Sequence, residues 1–396
     1  MTSKHYFKLF LIWSIVSLVY GLEFFIRISP NMLQSFLKNE FNINYTQLGK
    51  LSAAFYYSYA LCQIPATLFM IRYGVKKSFL IFSAFFIIGL VFFAHSHSLS
   101  EAFLARILMG FGASISFILL LELAHRWFDE QQFSFYVGLA NTIGMLGALS
   151  AEYPLELALN FYHWRTIMLT CAYALCLLVV LFVYFYSEHH KTGVETYSQF
   201  DHNFSFNHLP FLFQLILIGC SMVLPLIVLP ALWGTLILEH YHHVDFANSA
   251  WILSFFFFGT ITGSLSKAAL SLHITGVRLL RIAIATEFFS LFLFIFNPTR
   301  SHGMLALSCF FIGLAASFML LIFTFIQKKI NQPALSIVIV NVTVLLISVC
   351  FQPLMGWYLD YTSSLNWSLE ISLKTALLVL PLVLIPAYTV THHLTD

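Results

Sequence analysis

The chain has 396 residues, of which 60% are apolar and 9% charged, against roughly 25% charged in a soluble domain. Its 19 Lys and Arg and 17 Asp and Glu are too few to cover a water-soluble globule of this size. Composition therefore excludes a cytosolic enzyme, a nucleic-acid binder and a disordered chain, and leaves a polytopic protein embedded in a lipid bilayer.

The first apolar run starts at Phe7, contains Glu23 and Arg27, and has no small-residue cleavage site after it. It reads as a retained helix and not as a signal peptide. A membrane-crossing helix needs about 20 mostly apolar residues. Twelve runs meet that need, at about 7–28, 46–71, 78–94, 101–123, 133–160, 165–187, 209–238, 247–271, 279–296, 303–326, 333–358 and 371–391. Numbered in order, they are spans 1 to 12. The runs are continuous and not alternating, which excludes a β-barrel. One connection is long and polar, 188–208, with Glu188, Lys191, Glu195, Asp201 and the histidines His189, His190, His202 and His208. The predicted fold is all-α, with a six-span bundle at 1–187, a central loop at 188–208 and a second six-span bundle at 209–396.

Loop cations set orientation, since cytoplasmic loops carry the excess of Lys and Arg. With the N-terminus in the cytoplasm, that side holds Lys4, Lys8, Arg72, Lys76, Lys77, Arg126, Lys191, Lys267, Arg278, Arg281, Lys328 and Lys329. The other side holds Lys38, Lys50, Arg165, Arg300 and Lys374. Both termini are thus expected in the cytoplasm. Short loops suit a bacterial inner membrane, and a eukaryotic organelle would fit the same topology.

The two halves resemble each other at an offset of about 200 residues. Residues 48–74 fall on 250–276, so that Gly74 meets Gly276. Gly110 and Gly112 bracket the position matching Gly313, Asn141 meets Asn341, and Pro154 meets Pro353 within one residue. Parallel six-helix repeats are the build of a transporter class in which two similar bundles rock about a site near the midplane.

Several motifs point the same way. Arg72-Tyr-Gly74-Val-Lys76-Lys77, between spans 2 and 3, is similar to the loop pattern of the major facilitator superfamily, an acidic residue followed by Arg-x-Gly-Arg-Arg. Here Ile71 stands where the Asp is usual and Val75 replaces one basic residue. Arg106-Ile-Leu-Met-Gly110-Phe-Gly112 resembles the superfamily's R-x-x-x-G-x-G stretch, and Arg126-Trp127-Phe128 with His163-Trp164-Arg165 its bracket around spans 4 to 6. Leu232-Trp233-Gly234 in span 7 and Gln352-Pro353 through Asp360 in span 11 are similar to the same family. The opening Glu23-Phe-Phe-Ile-Arg27-Ile-Ser-Pro30 looks like the branch of organic-anion and sugar-phosphate permeases, or that of lysosomal dipeptide transporters. Arg72, Gly74, Lys76 and Lys77 would then form the gating loop. Span 5 lacks the Gly-x-x-x-Gly-Pro pattern of drug and proton antiporters, which argues against a drug exporter.

A charge at bilayer depth is costly and is a functional hypothesis by default. Glu23, Arg27, Arg106, Glu152 and Glu287 are the candidates for substrate binding and proton coupling; Glu122 and Glu156 stand nearer the membrane surfaces. At 1.5 Å per residue, Glu23 lies roughly 24 Å along span 1 and Arg106 roughly 8 Å below the outer surface. Together with Glu152 in span 5, they share an outer-half depth. Burial favours a protonated carboxyl and a nearby guanidinium favours the carboxylate, so a substrate competing for the Arg would couple the two binding events. The bland alternative is buried ion pairs that fix helix packing. Tyr56, Tyr59, Gln63, Asn141, Trp233 and Asn341 add neutral polar groups for a cavity wall, with interhelical hydrogen bonds as their alternative reading.

Cys62, Cys171, Cys176, Cys220, Cys309 and Cys350 all sit in apolar runs and read as small buried hydrophobes. His240, His242 and His243 have no zinc spacing and read as loop residues facing water. No GxxxxGK[ST] is present, which excludes ATP-driven transport on this chain. No HExxH or GxSxG motif supports a membrane-embedded enzyme, and no cofactor is expected. The reading is a monomeric secondary transporter of a small organic solute, such as an amino acid, dipeptide or organic anion, coupled to protons. An exporter or antiporter of a drug-like or siderophore-type compound is the alternative.

Overall fold

The computed structural model describes residues 3–128, 130–186, 208–271, 273–297, 301–330 and 333–394, and every regular element among them is helical. The loop expected at 188–208 lies outside them except for His208. Hydrocarbon offers the backbone no hydrogen bonds, so a crossing segment must satisfy its own N–H and C=O groups, as a helix does.

In chain order the helices are α1 (Ser3–Ile28), α2 (Pro30–Phe41), α3 (Tyr45–Ala94), α4 (Leu99–Ala113), α5 (Ser116–Trp127), α6 (Glu130–Ser150), α7 (Tyr153–Leu159) and α8 (Trp164–Phe185). After the loop come α9 (Leu209–Val228), α10 (Gly234–His240), α11 (Phe246–Leu270), α12 (Gly276–Phe296), α13 (His302–Ala316) and α14 (Leu321–Lys329). The last four are α15 (Pro333–Val349), α16 (Phe351–Ser364), α17 (Leu369–Leu377) and α18 (Val379–Val390). Among the described residues, ten helical stretches are long and apolar enough to cross a membrane. One of these is α3. Its 50 residues would span about 75 Å at 1.5 Å per residue, more than twice a hydrocarbon core of about 30 Å. It breaks at Gly74, whose φ of 82° and ψ of 169° lie in a region that residues with a Cβ avoid. The Ser78 hydroxyl donates to the Gly74 carbonyl and closes the first turn beyond the break.

Other interruptions follow proline, which removes a helical N–H. Pro30 opens α2 after the single residue Ser29, and α2 ends at the left-handed Asn42. Pro154 sits in the first turn of α7. Pro225 and Pro230 flank the change from α9 into a π-helical turn, Leu229–Trp233, which hands over to α10. Pro386 lies inside α18.

The chain forms two compact units. The first contains 3–29, 35–43 and the described part of 51–199; the second contains 30–34, 44–50 and the described part of 200–396. In the first unit α1 packs on α6, α5 and α8. A Cβ on Gly147 would collide with the Gly21 carbonyl, so α1 and α6 touch backbone to backbone. In the second unit α13 packs on α11 and α12, and α9 on α15 and α18.

The internal repeat is built into this packing. Gly110 of α4 presses on the Phe55 carbonyl of α3, and Gly313 of α13 presses on the Phe256 carbonyl of α11. Each unit thus has a helix pair held at the same close approach by a glycine within one residue of the matching position.

The segment 44–50 is held inside the second unit by Asp360. Its carboxylate accepts from the backbone N–H of Tyr45 at 3.1 Å, from that of Thr46 at 2.8 Å, and from the Thr46 hydroxyl. These N–H groups belong to the first turn of α3, which has no intrahelical acceptor for them. Asn31 acts similarly, accepting from the Thr235 N–H at 3.0 Å just after the π-helical turn.

Candidate functional site

The first unit buries an unusual set of charges where α1, α3 and α4–α5 meet. Glu23 is completely buried, Arg27 is 9% exposed and Arg106 is 2% exposed. Glu23 and Arg27 are four residues apart on α1 and so share a face. Even so, neither Arg27 nor Arg106 forms an ion pair with Glu23 among the described residues.

Each charge has a different environment. The Ser116 hydroxyl, in the first turn of α5, donates to Oε1 of Glu23, while Oε2 has no hydrogen-bond partner. Arg106 is engaged by backbone. Its Nη1 donates to the Ile26 carbonyl of α1 at 3.1 Å and its Nη2 to the Ser52 carbonyl of α3 at 3.2 Å. Its guanidinium also lies 4.9 Å over the Phe55 ring. One side chain on α4 thereby ties α1 and α3 together.

Arg27 has a different kind of surrounding. Its guanidinium lies 4.3 Å from the centre of the Tyr59 ring and 4.4 Å from that of Phe24, with Phe55 and Tyr56 at 5.7 and 5.8 Å. Aromatic faces attract a cation through their quadrupole and stabilise it by about 0.5–2 kcal/mol each. The Tyr59 side chain also hydrogen-bonds the guanidinium, while Nε and Nη2 of Arg27 make no hydrogen bond. Arg27 is thus a desolvated guanidinium with free donors. The Tyr56 hydroxyl in the same wall is also without a partner.

The remaining sequence candidates are placed as follows. Glu152 is fully buried and stands before the first turn of α7, in the break that Pro154 imposes on span 5. Glu287 is fully buried on α12 in the second unit. Glu156 accepts from the Asn160 amide at 3.0 Å, and Glu122 pairs with Arg126 one turn on. Tyr56 and Tyr59 join the wall around Arg27, whereas Gln63 and Asn141 are half-buried elsewhere in the first unit. Trp233, fully buried in the π-helical turn, and half-buried Asn341 lie in the second. In the loop after α3's first half, Arg72 and Lys77 are exposed, Lys76 is half-buried, and Gly74 supplies the turn.

Three partners escaped the sequence reading. Ser116 was invisible because serine is common in apolar spans. Phe24 and Phe55 were hidden among the 44 phenylalanines of the chain. The i,i+1 step from Glu23 to Phe24, with Arg27 one turn later, is the signal that was available.

A sequence profile described as the Major Facilitator Superfamily matches residues 13–353. The chain belongs to the Major Facilitator Superfamily. It is an integral multi-pass membrane protein of transporter type and not an enzyme. No curated protein matches it in sequence. Its fold is similar to solved transporters of the superfamily at low identity. A bacterial homologue of the human lysosomal transporter Spinster, inward-facing and unoccupied, superposes with a TM-score of 0.75 at 15% identity, covering 98% of this chain and 97% of that one. The nucleoside transporter NupG gives 0.76 at 13% identity, with 97% and 100% covered. A D-xylose-proton symporter gives 0.70 at 12% identity, with 96% and 97% covered. The superfamily membership fits the features seen above, including the glycine-turned loop at Gly74 and the repeated glycine contacts.

Proposed function

We propose that the chain is a secondary transporter whose twelve spans move a small organic anion or zwitterion by alternating access, coupled to protons. The observation that carries this reading is Arg27. A buried guanidinium packed among aromatic rings and bonded to the Tyr59 side chain, with Nε and Nη2 unbonded, is suited to a carboxylate or phosphate, which takes two parallel N–H donors. Amino acids, dipeptides and organic acids carry such a group.

Glu23 supplies the coupling. A carboxyl with no counter-ion in a buried site favours its protonated form. An anion bound at Arg27, one helical turn away, adds negative charge and strengthens that preference. Proton and substrate then bind with positive coupling, and the reciprocity of linkage makes each raise the affinity for the other. Ser116 orients the carboxyl through Oε1. Arg106, bound to two carbonyls, holds the frame on which Glu23 and Arg27 sit. The likeness in fold to a D-xylose-proton symporter supports proton coupling by analogy. Loop cations support cytoplasmic termini, and the short loops suit a bacterial inner membrane, with the chain acting as a monomer.

The test is pH-gradient-driven uptake in liposomes, after a thermal-shift screen of amino acids, dipeptides, organic acids and nucleosides has found a ligand. Arg27→Ala is expected to abolish the ligand's thermal shift. Glu23→Gln is expected to keep exchange of ligand across the membrane but lose accumulation against a gradient. Wild-type accumulation in Glu23→Gln, or an unchanged shift in Arg27→Ala, would falsify the proposal.

A further inference from the structure

Glu287 is the most isolated charge-bearing group among the described residues of the second unit. It is completely buried, and neither carboxyl oxygen has a hydrogen-bond partner. It stands midway along α12, eleven residues beyond Gly276, which is about 16 Å of helix and thus near the middle of a hydrocarbon core of about 30 Å. On the buried face of α12, its neighbours at helical spacing are Leu280, Ala283, Ile284, Ser290, Leu291 and Phe294.

No cation stands close enough to neutralise it. On its own helix Arg278 is exposed, and Arg281 donates to the hydroxyl and carbonyl of Thr391. Arg281 is six residues away, about 9 Å along the axis. The elements packed against α12 are α13, α18 and the short turns Ser317–Leu320 and Thr391–His393. Their titratable groups are His302 at the start of α13, Cys309 within it, Tyr388 near the end of α18, and His392 and His393 beyond it. Beyond these, Tyr241 donates to the Ile295 carbonyl, His242 meets Phe294 edge to face, and Lys374 stands over Phe296, all at the C-terminal end of α12. None of these groups makes an ion pair or hydrogen bond with Glu287.

An ionised carboxylate in such a place costs several kcal/mol even after relaxation, and a group so placed neutralises instead. The fold itself does not need a carboxyl there. At the repeat offset of 202 that joins Gly74 to Gly276, the matching position is Phe85 of α3, an apolar side chain in the same kind of helix.

We infer that Glu287 is a proton-carrying site of the second unit, holding its proton at the membrane midplane independently of the Glu23 site. Its ligand is the proton alone, because no donor or cation beside it would hold an anion or metal. The proton leaves when the buried face of α12 meets water. This inference does not depend on the coupled-transport reading, since it needs only the burial and isolation of one carboxyl.

Dicyclohexylcarbodiimide tests it in the intact chain in liposomes. The reagent reacts with a protonated carboxyl in an apolar site. The acid proton moves to a carbodiimide nitrogen, the carboxyl oxygen bonds to the central carbon, and the adduct rearranges to a stable N-acylurea. Peptide mass spectrometry of the wild-type protein is expected to find the label on Glu287 at neutral pH and to lose it as the pH is raised. Infrared spectra are expected to show protonated-acid carbonyl absorption, with one component that Glu287→Gln removes and Glu23→Gln leaves in place. An unlabelled Glu287 together with absorption that Glu287→Gln leaves unchanged overturns the inference. A labelled Glu287 in a protein that moves no solute keeps it and sinks coupled transport instead. An unlabelled Glu287 with unchanged absorption, in a protein that accumulates solute, does the reverse.

Discussion

At the scale of single residues, two arginines of the first unit do opposite things. Arg106 donates to two carbonyls from two helices, and hydrogen bonds from a charged group stabilise by about 1.5–3 kcal/mol each. Arg106→Ala is therefore expected to lower the melting temperature in detergent more than Arg27→Ala does. Arg27→Ala is expected to lose ligand affinity with little loss of stability, since it gives up ring contacts and no hydrogen bond at Nε or Nη2. A melting temperature that falls more in Arg27→Ala would reverse the two roles. Outside the spans, His242 is half-buried against Tyr241 and Phe294, and burial pulls its imidazole down to about 4, with His243 adding to the effect. An unfolded histidine titrates near 6.5. The unfolded chain thus takes the proton first, and the stability from neutral His242 is complete above about 6.5 and lost as the pH falls towards about 4. The loss is up to about 3 kcal/mol at 1.36 kcal/mol per unit. His242→Phe should flatten the melting profile across that window; an unchanged slope removes His242 as its cause.

Elements are shaped by glycine and proline more than by apolar pattern. Gly110 and Gly313 sit where a Cβ would collide with the carbonyls of Phe55 and Phe256. Alanine at either position forces the helix pair apart, and the expected outcome is a large drop in folded protein recovered from the membrane. Gly138, with nothing near its Cβ position, is the control expected to accept alanine. Asp360 belongs to this scale too, since it caps the first turn of α3. Asp360→Ala should cost about 0.5–2 kcal/mol, the range for losing a helix cap, read as a lower melting temperature. Asp360→Asn, which keeps one acceptor oxygen, should recover part of the loss. The bends at Pro30, Pro154 and Pro230 were readable in the sequence as prolines in apolar runs. Which bends carry a buried polar group was not, because that depends on which helix lies opposite.

At the scale of the molecule, acid weakens the protein through its loops as well. Arg165 donates to the Ala94 carbonyl at 2.7 Å and to Glu40 at 2.9 Å. The guanidinium holds the Glu40 carboxyl below its ordinary range. That contribution is present above the ordinary carboxylate range and disappears as the pH falls through the lowered value. It is small, because this carboxyl faces water. Residue order alone determined the class of molecule, since 9% charge over 396 residues leaves lipid as the only solvent, and continuous rather than alternating apolar runs leave helices rather than a closed barrel to cross it. It also determined the repeat, because two halves that fold alike need glycine where each helix pair touches. Sequence placed Glu23, Arg106 and Glu152 at one depth, since depth follows from counting residues along a rod. Only the tertiary structure decided that Glu23 bonds to Ser116, that Arg106 is held by backbone and that Arg27 keeps free donors. Depth is one coordinate, whereas a hydrogen bond also needs the rotation of each helix about its axis. That rotation is set by the packing of all its neighbours at once.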